Sequence, residues 1–143
     1  MKNPIRMQKD YKLPVWYLID AQDQILGKIA TKAAIILMGK NRSTYSYNSM
    51  SANFVIIINS RQVAITGNKN TQKVYKRYSA KPGATKTESF YHLKKRIPNR
   101  ILEQAVKGML PKSVLGKKMF SHLKVYAGDS HPHLAQQPIQ LSI

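Results

Sequence analysis

Apolar and polar positions change period several times along the chain, and each change marks an element. Val15 to Asp20 (VWYLID) is β-branched, aromatic and apolar and runs into the polar stretch Ala21 to Gln24, which predicts a strand followed by a turn. Leu26, Ile29, Ala30, Ala33, Ile36 and Leu37 then recur at helical spacing, with Lys28 and Lys32 four apart on another face and Gly39 placed to end the helix. This is an amphipathic helix of about three to four turns. A polar segment rich in Ser, Asn and Tyr, Lys40 to Asn53, leads into Phe54 to Asn59 (FVIIIN), whose continuous apolar run suits a strand covered on both faces. Strand, helix, strand predicts a parallel unit with a right-handed crossover. Val63 to Ile65 is a candidate short strand before a turn at Thr66-Gly67-Asn68.

The second half is less regular. Lys69 to Lys86 has length without periodicity, which points to one long functional loop. Thr85 followed by Glu88 has the form of a capping box and predicts a helix from there to about Lys95. Pro98 suits the first turn of the next helix, where Ile101, Leu102, Ala105, Val106, Met109 and Leu110 repeat at helical spacing until Pro111. Ser113 can cap a last short helix carrying Leu115, Met119 and Phe120, and Lys124 to Ala127 can return as a strand. The expected organisation is a basic arm over residues 1–14 and one α/β domain over 15–143, with a C-terminal tail from about 128. No internal repeat is visible.

Charge changes the picture more than patterning does. In 143 residues, 24 Lys and Arg face 6 Asp and Glu, a formal +18 that repels itself in any compact state until an anion neutralises it. A polyanion is the implied partner, and nucleic acid fits best, because each phosphate neutralised releases condensed counterions. A membrane partner is not expected: Ala33 to Met38 and Phe54 to Ile58 are the longest apolar runs, far short of a span. The absence of Cys removes disulfides, thiolate metal sites and cysteine nucleophiles. Met1 to Pro14 has neither the apolar region of a secretory signal nor the length and Ser content of a transit peptide, so the chain is expected to work where it is made.

Two stretches concentrate the chemistry. In 69–86, Lys69, Lys73, Lys76, Arg77, Lys81 and Lys86 interleave with Tyr75 and Tyr78, so that cations can neutralise phosphates while a ring stacks on a base or ribose. In KGMLPKSVLGKK, Gly108, Pro111 and Gly116 break two short helices and set Lys107, Lys112, Lys117 and Lys118 at their ends. The span Arg61 to Lys118 holds 15 of the 24 cations and only two acids, Glu88 and Glu103. Lys40, Arg42 and Lys124 complete the candidate RNA-binding cations.

Enzyme signatures are missing. Gly39-Lys40 and Gly116-Lys117 share the Gly-Lys pair of a phosphate-binding loop, but Ala34 and Pro111 stand where its first Gly belongs, and Asn41 and Lys118 where Ser or Thr would bind magnesium. The turn Asp20 to Gly27 has one Gly and no dinucleotide fingerprint. Six scattered acids offer no paired carboxylates for acid and base work. Asp129, His131 and His133 are the one dense group of potential metal ligands, and RNA contact or solvation is the better reading of those histidines. No catalysis, cofactor, metal or small-molecule substrate is expected.

WYLIDAQDQILGKIAT (Trp16 to Thr31), FVIIINSRQVAITGNK (Phe54 to Lys69), VYKRYSAKPG (Val74 to Gly83) and above all AVKGMLPKSVLGKKMFSHLKVYAGDSHPHLAQQP (Ala105 to Pro138) resemble the large-subunit ribosomal protein thirteen family, bacterial type. The resemblance implies a three-layer α/β/α fold around a small, mainly parallel sheet, with basic loops and extended termini. It also implies a structural role on large-subunit rRNA during early assembly, with neighbouring large-subunit proteins as further partners. Carried over by position, it points to Lys69, Lys73, Tyr75, Lys76, Arg77, Lys112, Lys117, Lys118 and Lys124, and its motif includes His131 and His133. Ala52 and Asn53 stand where the family usually has an Asp, often after a Gly, and Tyr78 stands where a His is common. With 18 Lys to 6 Arg and frequent Ile and Asn, the composition fits an AT-rich coding genome of a bacterium or an organelle, and the resemblance then implies a ribosome in a bacterial cytoplasm or a plastid stroma. The same charge, taken without the resemblance, would also suit a free nucleic-acid-binding or translational regulatory module.

Overall fold

The computed structural model describes residues 14–43 and 45–142. The basic arm expected over 1–14 therefore lies, but for Pro14, outside the described residues. β1 (Val15–Asp20), α1 (Leu26–Met38) and β2 (Asn53–Ile58) occupy the predicted positions, and β1 pairs with β2 in parallel, Trp16 beside Phe54 and Leu18 beside Ile56. Leu26, Ile29, Ala30, Ala33, Ile36 and Leu37 are buried, together with Ala34, whereas Lys28 and Lys32 are exposed. α1 has no side-chain cap at its start. The carbonyl of Ala64 accepts the amide of Leu26 at 3.0 Å, so the candidate strand at Val63 to Ile65 is a single parallel bridge, Ile25 to Ala64, that closes the helix N-terminus. Gly39 ends the helix at φ 77°, its amide bonding back to Ile36.

Lys69 to Lys86 is not one loop. A single turn of helix, α2 (Lys69–Gln72), leads into an antiparallel ribbon of β3 (Val74–Arg77) and β4 (Lys86–Ser89), with Tyr75 opposite Glu88 and Arg77 opposite Lys86. The helix expected from Thr85 consequently starts later, as α3 (Phe90–Arg96), capped by Ser89, whose hydroxyl accepts the amide of His92 at 3.5 Å. Thr85 and Glu88 do not form a capping box, because Glu88 belongs to β4 and its carboxylate turns to Arg96.

Pro98 immediately precedes α4 (Asn99–Met109), and Ser113 caps α5 (Val114–Ser121) by accepting the amide of Gly116 at 3.3 Å. β5 (Leu123–Val125) then pairs in parallel with β2. The tail from 128 is more than an extension, since its end returns as β6 (Ile139–Leu141) parallel to β1. The four-stranded sheet, in order β5-β2-β1-β6, is parallel throughout.

Alternation along the inner strands sorts the two faces. Ile19, Val55 and Ile57 face a core completed by α1, Leu93 of α3, Ile101, Leu102 and Val106 of α4, and Met119 of α5. The other face carries a column of stacked rings: Phe54 lies 4.1 Å from His122 and 4.3 Å from Trp16, and Trp16 lies 5.0 Å from His133 on the C-terminal return. This is an α/β fold with a parallel sheet flanked by helices. The helices place the basic segments at their ends, outside the core.

Candidate nucleic-acid interface

The chain rarely compensates its charge internally. Among the described residues one ion pair forms, Arg96 with Glu88 at 2.6 Å. That contact holds the Glu88 carboxyl below the usual carboxylate range and raises the Arg96 guanidinium. Lys94 is also engaged, its ammonium donating to the carbonyl of Val63 at 2.9 Å.

Several cations converge at the α4–α5 junction. Lys107 comes from the last turn of α4, Lys112 from the connection and Lys117 from α5, and all three line one cavity of about 290 Å³ floored by Leu110, Pro111, Gly116 and Phe120. Lys118 follows on α5, exposed like the other three. The connection is tight because Gly116 lies directly against the Pro111 carbonyl, where no β-carbon fits. Neither glycine breaks a helix as expected: Gly108 lies within α4 and Gly116 within α5, and Pro111 alone falls in the connection, where the close fit of Gly116 on its carbonyl gathers the lysines.

Leu110 and Pro111 separate this cavity from a larger groove of about 670 Å³. Lys40, Tyr45, Tyr47 and Asn48 from the α1–β2 connection form one wall, and Met109, Ser113, Leu115 and Met119 the other. Arg42 lines a small adjoining pocket with Tyr45. Tyr45 and Tyr47 are not legible as site residues from sequence, since they sit in an aperiodic polar segment and their groove is completed by side chains far along the chain.

The middle cations form a separate group on the ribbon. Lys69 opens α2, Lys73 follows it, Lys76 and Arg77 lie on β3, and Lys81 is in the loop between the strands; all five are exposed. Tyr75 turns inward, its ring 6.3 Å from Phe90 and under the Lys73 ammonium at 5.3 Å, and burial pushes its phenol up. Tyr78, 74% exposed, is the ring left free to stack there.

Lys124 is half-buried in β5. His131 and His133 belong to the return over the second sheet face, where Nε2 of His133 bonds the Tyr126 hydroxyl at 2.8 Å and its amide donates to Nδ1 of His131 at 3.2 Å. These contacts hold both imidazoles in place. Among the described residues no three His, Asp or Glu side chains gather as a metal-ligating group, and no helix is long and apolar enough to cross a membrane.

Known proteins resemble this chain over most of its length. The profile of the family described as Ribosomal protein L13 matches residues 14–132. The chain is 56% identical over 128 residues to the large ribosomal subunit protein uL13 of Acaryochloris marina, covering 90% of this chain and 85% of that one. Identity is 58% to the protein of the same name from Microcystis aeruginosa and 53% to that from Nostoc, with the same coverage.

Proposed function

The chain belongs to the ribosomal protein L13 family, and from that premise we propose that it binds large-subunit rRNA through many phosphate contacts and supports early assembly of the large subunit. Its role is that of a structural ribosomal protein and not of an enzyme. The relatives named above are cyanobacterial, in keeping with a bacterial or plastid type.

One observation carries the RNA reading: the exposed lysines at the α4–α5 junction and on the β3–β4 ribbon have no carboxylate partners among the described residues. A fold that gathers Lys107, Lys112 and Lys117 around one cavity concentrates positive potential, which an RNA backbone relieves with a gain from counterion release. Contacts of this kind fix orientation and register more than they read sequence. The half-buried second sheet face and the C-terminal return leave surface for neighbouring large-subunit proteins.

Co-sedimentation tests the proposal. The protein is expected to remain with large subunits after a moderate salt wash and to prefer its rRNA to duplex DNA at fixed salt. Recovery in the soluble pool alone, or displacement by equal duplex DNA, would return the chain to the class of free nucleic-acid-binding modules.

A further inference from the structure

We propose that the groove between the 45–48 segment and the α4–α5 junction receives an unstacked nucleobase of the bound RNA, while lysines on its rim hold the adjoining phosphates. The inference rests on the RNA-binding reading above and adds to it a base contact that phosphate neutralisation alone does not require.

The two tyrosines are presented to solvent, Tyr47 at 78% exposure and Tyr45 at 41%. They are held there by local turns: the Tyr45 amide donates to the Arg42 carbonyl at 3.2 Å and the Ser49 amide to the Ser46 carbonyl at 3.3 Å. Across the groove, Met109 is 42% exposed while Met119 is buried, so the cleft has a soft apolar wall that continues into the core. Its volume of about 670 Å³ is within the range of small-molecule sites, which is roughly 300 to 1,000 Å³.

Charge decides between occupants. Among the described residues no acidic side chain lines the groove, Lys40 stands in its wall, and Leu110 and Pro111 are shared with the cavity of Lys107, Lys112 and Lys117. An apolar protein side chain would fill the cleft and leave these ammonium groups unmatched. A nucleotide brings a flat ring and an anionic backbone in one unit, and Asn48 and Ser113 offer polar groups for the base edge.

The test uses the full chain with a transcript of large-subunit rRNA, and purified large subunits for crosslinking. Replacing both rings (Tyr45→Ala with Tyr47→Ala) is expected to weaken binding by about 5- to 150-fold per stacked base without changing the salt slope, and the corresponding Phe pair to restore it. Unchanged melting of the Ala pair separates this from misfolding. Ultraviolet irradiation of the subunits should leave an RNA adduct on the peptide bearing Tyr45 and Tyr47. Wild-type affinity in the Ala pair, or crosslinking of that peptide to another protein, overturns the base pocket while leaving RNA binding intact. Failure of the wild type to bind the transcript overturns the broader reading, and this one with it.

Discussion

Gly116 sits so close to the backbone carbonyl of Pro111 that a β-carbon on it would overlap the carbonyl oxygen. The obstructing atom is main chain, so no rotamer change can relieve the clash. Gly116→Ala is therefore expected to destabilise the fold by about 1–3 kcal/mol or more, through overpacking, and to weaken RNA binding by displacing Lys112 and Lys117. Gly108→Ala is the control. It lies in α4, where a β-carbon would meet nothing within 4 Å, and the substitution should be neutral or stabilising by up to about 1 kcal/mol. Urea unfolding of both variants checks the pair, and equal midpoints would show that the junction can shift to accept a side chain.

Asn53 is a second backbone-anchored position. It is fully buried, its side-chain amide donates to the Ile36 carbonyl at 2.9 Å, and its backbone carbonyl faces Nδ1 of His122 at 3.2 Å. The residue thus ties the end of α1 to the start of β2 and to the α5–β5 turn. Asn53→Ala should cost about 1–3 kcal/mol, measured as a lower urea midpoint with little change in slope. A midpoint equal to that of the wild type would mean that the tie contributes nothing net.

How much of this is readable in the sequence depends on whether a segment contains its own signal. α1 is legible because its apolar face repeats over several turns and Gly39 closes it, and α5 because Ser113 and the apolar Leu115 and Met119 lie within a few residues. The ribbon is hidden by its cations. Its outward positions are charged or polar, and Lys86-Thr87-Glu88-Ser89 has no apolar residue, so β4 exists by pairing with β3, which Tyr75 anchors against Phe90. The false capping box arises because Thr85 and Ser89 are both plausible caps, and only the strand pairing decides between them. β6 escapes a pattern reading since three residues at a sheet edge give too short a period. Among candidate interface residues, sequence reasoning names the cations individually. It cannot tell that Lys107, Lys112 and Lys117 share a cavity, nor that Tyr75 faces inward and Tyr45 outward.

The Glu88–Arg96 pair gives a pH dependence of defined sign. The Arg96 hydrogen bonds hold the Glu88 carboxyl below its ordinary value, so its stabilisation is present above the usual glutamate range and is lost as pH falls through the lowered value. Glu88→Gln should be slightly less stable than the wild type at neutral pH, by the small margin of an exposed pair, and salt should narrow the gap. The two proteins should converge in acid. Thermal melting across that range checks it, and a gap that widens on acidification would refute the assignment.

Lys112, Lys117 and Lys118 are exposed at the α4–α5 junction, and none has an acidic partner among the described residues. If each contacts one phosphate, replacing all three with Ala lowers the slope of log affinity against log salt by up to about three, given about 0.9 per phosphate on a duplex and about 0.7 on a single strand. Lys94→Ala provides the contrast. Its ammonium is already committed to the Val63 carbonyl, so its loss should reduce stability and leave the slope unchanged. Filter binding to large-subunit rRNA over a salt series, beside urea unfolding, separates the two effects. A triple variant with the wild-type slope would remove the junction from the interface and shift the phosphate contacts to the ribbon, where Lys73, Lys76 and Arg77 become the next residues to replace.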